Sequence, residues 1–311
     1  GCSPPRRPSG DSWIRSFWAS MNDERLGTSV SFIGAGRVGS SLARALSARG
    51  YEVDVLVRRT LAGAKETVLR VGAGRGSTDV GEAAAADIVF LTVPDGAIEQ
   101  VCNDVAVRGL WEPRHTVVHC SGALSLRVLR AAADRGAAVL SLHPMQSVAD
   151  TVSGAESLLG SFFGLEGCRR GLIVGEELVQ ALDGRALHIA PGGKAAYHAA
   201  AVMVSNYLVA LMDVGCDLFV KAGLPREDAV AALLPLAKGT LANVEEQGIP
   251  RALTGPIERG DATTVVSHLR ILDENPELKE IYCLLGQRTV HLAKRKGSAG
   301  EKELAAIAAL L

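Results

Sequence analysis

The sequence has 311 residues, enough for about two domains with a sizeable core. Hydrophobic residues are 48% and charged residues 22%, while a formal net charge of −1 and only 4% aromatics argue against nucleic acid or an anionic membrane as partner. The six cysteines (Cys2, Cys102, Cys120, Cys168, Cys216 and Cys283) are dispersed, which argues against a disulfide framework or a metal site and fits a reducing, cytoplasmic setting.

Residues 1–27 stand apart. Gly1 to Asp11 is rich in Pro, Arg, Ser and Gly, and Trp13 to Trp18 is a short apolar patch with no core long enough for a signal peptide. The segment reads as a disordered leader, with a docking segment built on Trp13, Phe17 and Trp18 as the alternative. No uninterrupted run of about twenty apolar residues is present to span a bilayer.

Val30-Ser31-Phe32-Ile33 reads as a buried parallel strand, and Gly34-Ala35-Gly36-Arg37-Val38-Gly39 follows it directly. An alanine-rich segment of helical period then runs to Arg49. Strand, G-x-G-x-x-G and helix in that order are the context of a dinucleotide site. Gly34 permits the tight turn, Gly36 lets the backbone approach a pyrophosphate, and Gly39 lets the helix pack close on the strand. The helix N-terminus offers free N–H groups to the phosphates. The alternative is a glycine-rich turn that binds no nucleotide.

The second strand, Tyr51 to Val57, ends in Arg58-Arg59-Thr60 instead of the acidic residue that accepts the ribose hydroxyls of NAD. Two guanidiniums and a hydroxyl suit the 2′-phosphate of NADP. After a loop with Gly72, Gly74 and Gly76 and a short helix near Glu82 to Ala86, the strand Asp87 to Val93 ends in Pro94-Asp95. In open parallel sheets the ligand crevice lies beyond the strand carboxyl ends, so Val93, Pro94 and Asp95 border the cofactor there. Asp95 as cap of a helix beginning near Ala97 is an equal alternative.

Strand Thr116 to His119 leads into Cys120-Ser121-Gly122, a helix from Leu124 to Arg135 follows, and strand Ala138 to Leu142 leads into His143-Pro144. Ser121 is placed to donate to a substrate oxygen, with Gly122 beside it. His143 is placed to orient substrate or move a proton, or else simply holds the Pro144 turn. His119 reads as a structural histidine on its strand. Phe162 to Leu165, Leu172 to Val174 and Leu187 to Ile189 read as further short strands, with a helix from Glu176 to Leu182. The sheet domain, residues 28–190, is therefore expected to end near Ala190.

Residues 191–311 read as all-helical. A long apolar helix from Lys194 is closed by Gly223, and others run from Glu227 to Glu246, Asp261 to Asp273, Pro276 to Arg295 and Glu301 to Leu311. The apolar character of the first helix argues burial on all sides, against a second subunit as well. Lys194 and His198 share a face of it, with Ser205 on roughly the same stripe and Asn206 a third of a turn away. If that helix start looks into the crevice, the Lys194 ammonium can stabilise charge developing on a carbonyl or imine and supply the proton. An exposed lysine with His198 bonded to backbone is the alternative. Arg259 is suited to clamp a substrate carboxylate, while Asp261 reads first as a helix cap.

GAGRVG, LTVPD, HCSGA, LHPMQS, KAAYHAAAVMVSNYL and LTGPIERGD, in that order, resemble an uncharacterised bacterial family that joins a Rossmann-like domain to a helical domain of unknown function. The resemblance covers nearly the whole chain from Val30 onward, and that family is similar to the 6-phosphogluconate dehydrogenase and ketopantoate reductase superfamily. In that superfamily the first long helix of the second domain carries a catalytic lysine followed four residues later by asparagine. Lys194 matches the lysine, and His198 occupies the asparagine's place. The superfamily often has a substrate-contacting serine in the loop that Ser121 occupies. The resemblance implies homodimers formed through the helical domain and a ketopantoate reductase-like activity.

The combined expectation is an α/β protein, a Rossmann-like mostly parallel sheet followed by a helical domain. It would reduce a small 2-keto acid or imine with NADP, using Lys194, His198, Ser121 and His143 as catalytic residues and Ser121, Gly122, Asn206 and Arg259 on the substrate. The rival expectation is a non-catalytic NADPH-binding regulator, which needs neither Lys194 nor His198.

Overall fold

β-branched and aromatic runs separated by glycine turns build one eight-stranded sheet. The computed structural model describes residues 27–311, so the leader and docking readings for residues 1–27 lie, up to residue 26, outside the described residues. The strands are β1 (Ser29–Ile33), β2 (Glu52–Val57), β3 (Arg75–Ser77), β4 (Ile88–Leu91), β5 (Thr116–His119), β6 (Ala138–Pro144), β7 (Phe162–Gly167) and β8 (Arg185–His188). Their spatial order is β3-β2-β1-β4-β5-β6-β7-β8, with every neighbouring pair parallel except β6 and β7.

Successive residues of a strand face opposite ways, so each face of the sheet carries its own core. Phe32, Leu42, Leu46, Phe90, Leu140 and Leu178 lie in one. Ile33, Val55, Leu91, Ile98, Trp111 and Leu129 lie in the other. Phe32 and Phe90, opposite each other in the β1–β4 register, stack with centroids 4.6 Å apart. The order reverses between β1 and β4, so the crevice of an open α/β sheet falls beyond their carboxyl ends.

The helices of this part are α1 (Arg37–Ser47), α2 (Leu61–Val71), α3 (Asp95–Val107), α4 (Arg130–Ala133), α5 (Thr151–Leu158) and α6 (Arg169–Ala181). Several sequence expectations change. Arg75–Ser77 pairs with β2 as a short edge strand, and Asp150 caps the unforeseen α5 through Val152 and Ser153 N–H. The helix expected over Leu124 to Arg135 is a 3-10 turn at Leu126–Leu129 followed by the single-turn α4. Leu172 to Val174 is not a strand but part of α6, whose Cys168 cap accepts the Gly171 N–H.

The described residues divide into two compact units, one ending at Ser205 and one spanning Asn206–Leu311. The first unit therefore keeps α7 (Lys194–Val204), beyond the boundary expected near Ala190. The second consists of α8 (Asn206–Lys221), α9 (Arg226–Gln247), α10 (Ala262–Leu272), α11 (Pro276–Lys296) and α12 (Glu301–Leu310). Its core joins Ile257, Val265, Leu269, Val290, Leu304 and Ile307. Asp261 caps α10 by accepting the Thr264 N–H at 3.0 Å, as its position predicts.

The expected single long helix is interrupted at Ser205, and burial on all sides is not found. Lys194 is the buried residue of α7 and Cys216 that of α8. Within Lys194–Lys221 the most apolar 18-residue window has a mean hydropathy of 1.6 and is only 6% buried, so by length and composition alone this stretch could cross a membrane. Apolar sequence shows that a surface is to be covered, not that the same chain covers it.

Candidate functional site

The glycine turn follows β1 at the switch point. Gly34 has φ +84°, and a Cβ there would lie 2.3 Å from Val93 Cγ1, so turn and packing both require glycine. Gly36 precedes α1 with no side chain capping the helix, which leaves its first-turn N–H groups for an external anion. A Cβ on Gly36 would find only Arg58 Nη1 at 3.7 Å and Gly34 O at 3.7 Å, leaving the backbone open to close approach. Arg58 folds back over this loop, Nη1 donating to Ala35 O at 2.8 Å. Arg37 and Arg59 are exposed, and Thr60 caps α2 by accepting the Gly63 N–H. These residues fit a phosphorylated dinucleotide: an uncapped helix start, an open backbone, and two arginines at the β2 end where a carboxylate would repel phosphate.

Val93 and Pro94 lie on the same sheet edge, after β4. Asp95 does not cap a helix starting at Ala97, because α3 begins at Asp95 itself. Its carboxylate accepts the Ser121 hydroxyl at 2.7 Å, while Ser121 Oγ accepts the Ala123 and Leu124 N–H groups. Ser121 is thus fixed in place beyond β5.

Lys194 opens α7 and is only 3% exposed. Its ammonium donates to Ser121 O at 2.7 Å and to Ser141 Oγ at 2.8 Å, and sits 5.7 Å from the Tyr197 ring centroid. Burial pulls the amine down from its usual range to about 8, against the attraction of Glu166 and Asp95.

His143 belongs to β6 and does not sit in an exit loop, since Pro144 still pairs with Phe163 across the ladder. Its Nδ1 is hydrogen-bonded to Tyr197 Oη at 2.9 Å, and its ring centroid lies 6.3 Å from that of His198. A Cβ on Gly122 would come within 2.5 Å of His198 Cδ2 and 2.8 Å of His143 Nε2. Loop and imidazoles therefore share one small space that glycine alone leaves open. Burial lowers the His143 pKa to about 4, with Lys194 and His198 acting in the same direction, so the ring is neutral at ordinary pH. His119 is fully buried on β5 as expected and accepts the Ser121 N–H at 3.2 Å.

The first unit thus brings together Asp95, Ser121, Gly122, His143, Lys194 and His198. It adds Ser141 and Tyr197, which sequence reading missed. Tyr197 follows Lys194 by three positions on the helix face that His198, four positions on, also shares. Asn206 and Arg259 belong to the second unit, where Asn206 opens α8 and Arg259 is exposed in the turn ahead of α10. Chemically, the buried Lys194 ammonium is the proton donor of this cluster, set beside a fixed hydroxyl and a neutral histidine–tyrosine pair.

The sequence matches the Rossmann-like domain over residues 16–144 and DUF2520, a domain of unknown function, over residues 161–289. The chain fits an uncharacterised Rossmann-like family. In this Rossmann-like and DUF2520 pairing, the glycine turn, Asp95, Ser121 and His143 come from the first match, and Lys194, Tyr197 and His198 from the second. No curated protein matches the chain significantly.

Among solved structures, protein TM1727 from Thermotoga maritima is 25% identical with a TM-score of 0.69, covering 86% of this chain and 99% of its own. A Bacteroides fragilis protein assigned as an NADP oxidoreductase is 22% identical with a TM-score of 0.68, covering 85% and 98%. A pyrroline-5-carboxylate reductase from Coxiella burnetii is 17% identical with a TM-score of 0.57, covering 86% and 97%. The likeness to the last two is one of fold.

Proposed function

We propose that this chain is an NADP-dependent oxidoreductase that reduces a small 2-keto acid or imine, with Lys194 as electrophile and general acid. The observation that carries the reading is the burial of the Lys194 ammonium against Ser121 and Ser141 at the sheet edge that also bears the glycine turn. A lysine is costly to bury and is retained where its charge has a use. The fold shared with the Bacteroides NADP oxidoreductase supports the cofactor, and that shared with the Coxiella pyrroline-5-carboxylate reductase supports a C=N acceptor.

When bound, NADPH supplies the hydride. Arg58, Arg59 and Thr60 hold its 2′-phosphate, and residues 34–39 receive the pyrophosphate. Lys194 stabilises the charge that develops on the acceptor oxygen or nitrogen and donates a proton there. Ser121, its hydroxyl held by Asp95, borders the acceptor, and His143 and His198 orient the acceptor beside Gly122. We further propose a cytoplasmic homodimer, supported by the dispersed cysteines and the exposed apolar faces of α8 and α9.

The test is NADPH titration followed by turnover with a panel of 2-keto acids, ketopantoate first, and cyclic imines. Lys194→Ala should lower kcat at least about a hundredfold while leaving NADPH affinity unchanged. Turnover that survives this substitution would remove the lysine from the mechanism. Binding without turnover of any acceptor by the unsubstituted chain would leave a nucleotide-binding regulator.

A further inference from the structure

The antiparallel pairing of β6 and β7 brings a second ionisable side chain to the Lys194 pocket. Ser141 is opposite Glu166 in that ladder, and His143 is opposite Gly164. Directly opposed residues of an antiparallel pair project to the same face, as do residues two apart on one strand. Three contacts identify that face. Lys194 donates to Ser141, Tyr197 is hydrogen-bonded to His143, and a Cβ on Gly164 would lie 2.5 Å from Tyr197 Oη. The Glu166 side chain therefore projects toward the helix that carries Lys194. Its Oε2 is buried and has no hydrogen-bond partner.

A buried carboxylate oxygen without a donor is unfavourable unless a charge nearby compensates it. We propose that Glu166 is a positioning residue for Lys194, the counter-charge that keeps its ammonium protonated between turnovers.

The other groups around Lys194 cannot take this role. Cys120, just past β5, is an uncharged thiol whose pKa burial pushes up to about 12. Asp95 at the start of α3 is exposed and engaged with the Ser121 hydroxyl. His119 on β5 and His143 on β6 oppose the ammonium when charged, and burial holds both neutral. Tyr197 is kept protonated by burial, and His198 on α7 is no anion. Among these, Glu166 remains, half-buried with its Oε2 fully shielded. Burial pushes its own pKa up and the Lys194 charge pulls it back.

The role of Lys194 as acid rests on the reductase reading, but the Glu166 coupling can be tested without turnover. Lysine residues labelled with 13C and 15N are followed by NMR across pH in the full chain, the Lys194 signal being identified by its loss in Lys194→Arg. In Glu166→Gln the Lys194 midpoint should fall by about one pH unit, and Glu166→Asp should restore most of it. In the unsubstituted chain the same signal should show a second, smaller inflection on the acid side as the Glu166 carboxyl titrates, which keeps the test open should the glutamine variant fail to fold. A midpoint unmoved by Glu166→Gln, or a single inflection in the unsubstituted chain, would overturn the assignment. Where acceptor turnover exists, the alkaline limb of kcat should move with the NMR midpoint. If no acceptor is turned over but the midpoint moves, the reductase reading fails and the counter-charge stands.

Discussion

Gly122 shows how narrowly the site is built at the level of single residues. The space a Cβ would need is already occupied by His198 Cδ2 and His143 Nε2, at 2.5 and 2.8 Å. Gly122→Ala must displace one imidazole or the Ser121 loop, and misplacement of about an ångström costs up to a hundredfold in rate. The expected outcome is a fall in kcat of about ten- to a hundredfold with NADPH affinity unchanged, checked by steady-state kinetics beside a binding titration. Wild-type kcat would place His143 and His198 outside the reaction. The sequence already pointed to Lys194 and His198, because helical spacing puts them on one face, and to Ser121 and His143, because polar residues at strand ends border the crevice. Ser141 and Glu166 were not legible. Both lie within strands: Ser141 accepts from Lys194, and the antiparallel β6–β7 register, which no local pattern encodes, sets Glu166 opposite Ser141.

Among the elements, α6 carries the clearest misreading. Leu172-Ile173-Val174 is an apolar trio with two β-branched members, and with a glycine on either side it reads as a strand. In the structure Gly171, Gly175, Leu178 and Val179 form the buried helical face, while Ile173 is exposed. The deciding signal is the glycine spacing of four, which lets the helix lie close on β6. A Cβ on Gly171 would come 2.3 Å from Val139 O, a backbone atom held in the ladder, whereas one on Gly175 would meet flexible Leu140 methyls at 3.0 and 3.1 Å. Gly171→Ala should therefore destabilise the chain by about 1–3 kcal/mol, and Gly175→Ala by less, measured by urea unfolding. Helix propensity favours alanine at both positions, so a stabilised Gly171→Ala would show that α6 can lift from the sheet without cost. The helices after residue 225 were readable because their caps are local. Asp261 and Asn275 each accept an N–H three residues on, and Pro276 follows at the first helical position.

At the level of the whole molecule, the second unit leaves apolar helix faces exposed. Tyr207, Val209 and Leu211 on α8, and Val230, Leu234, Leu236 and Leu241 on α9, are all exposed. Scattered surface leucines need no explanation, but consecutive helices with exposed apolar faces mark a surface that meets something. A second copy of the chain is the simplest partner, since closed two-fold pairing buries the same patch on both subunits. Sedimentation velocity should then report twice the chain mass. Val209, 70% exposed, is the position at which to break the pairing without disturbing the fold. Val209→Glu should shift the sedimenting species toward a single chain, because a carboxylate buried in an apolar interface lacks a partner, while Val209→Leu should remain paired. Both variants should keep the unsubstituted far-UV circular dichroism, since the substitution lies outside the core formed by Val265, Leu269 and Val290. A single-chain mass for the unsubstituted protein would show that α8 and α9 face some other surface.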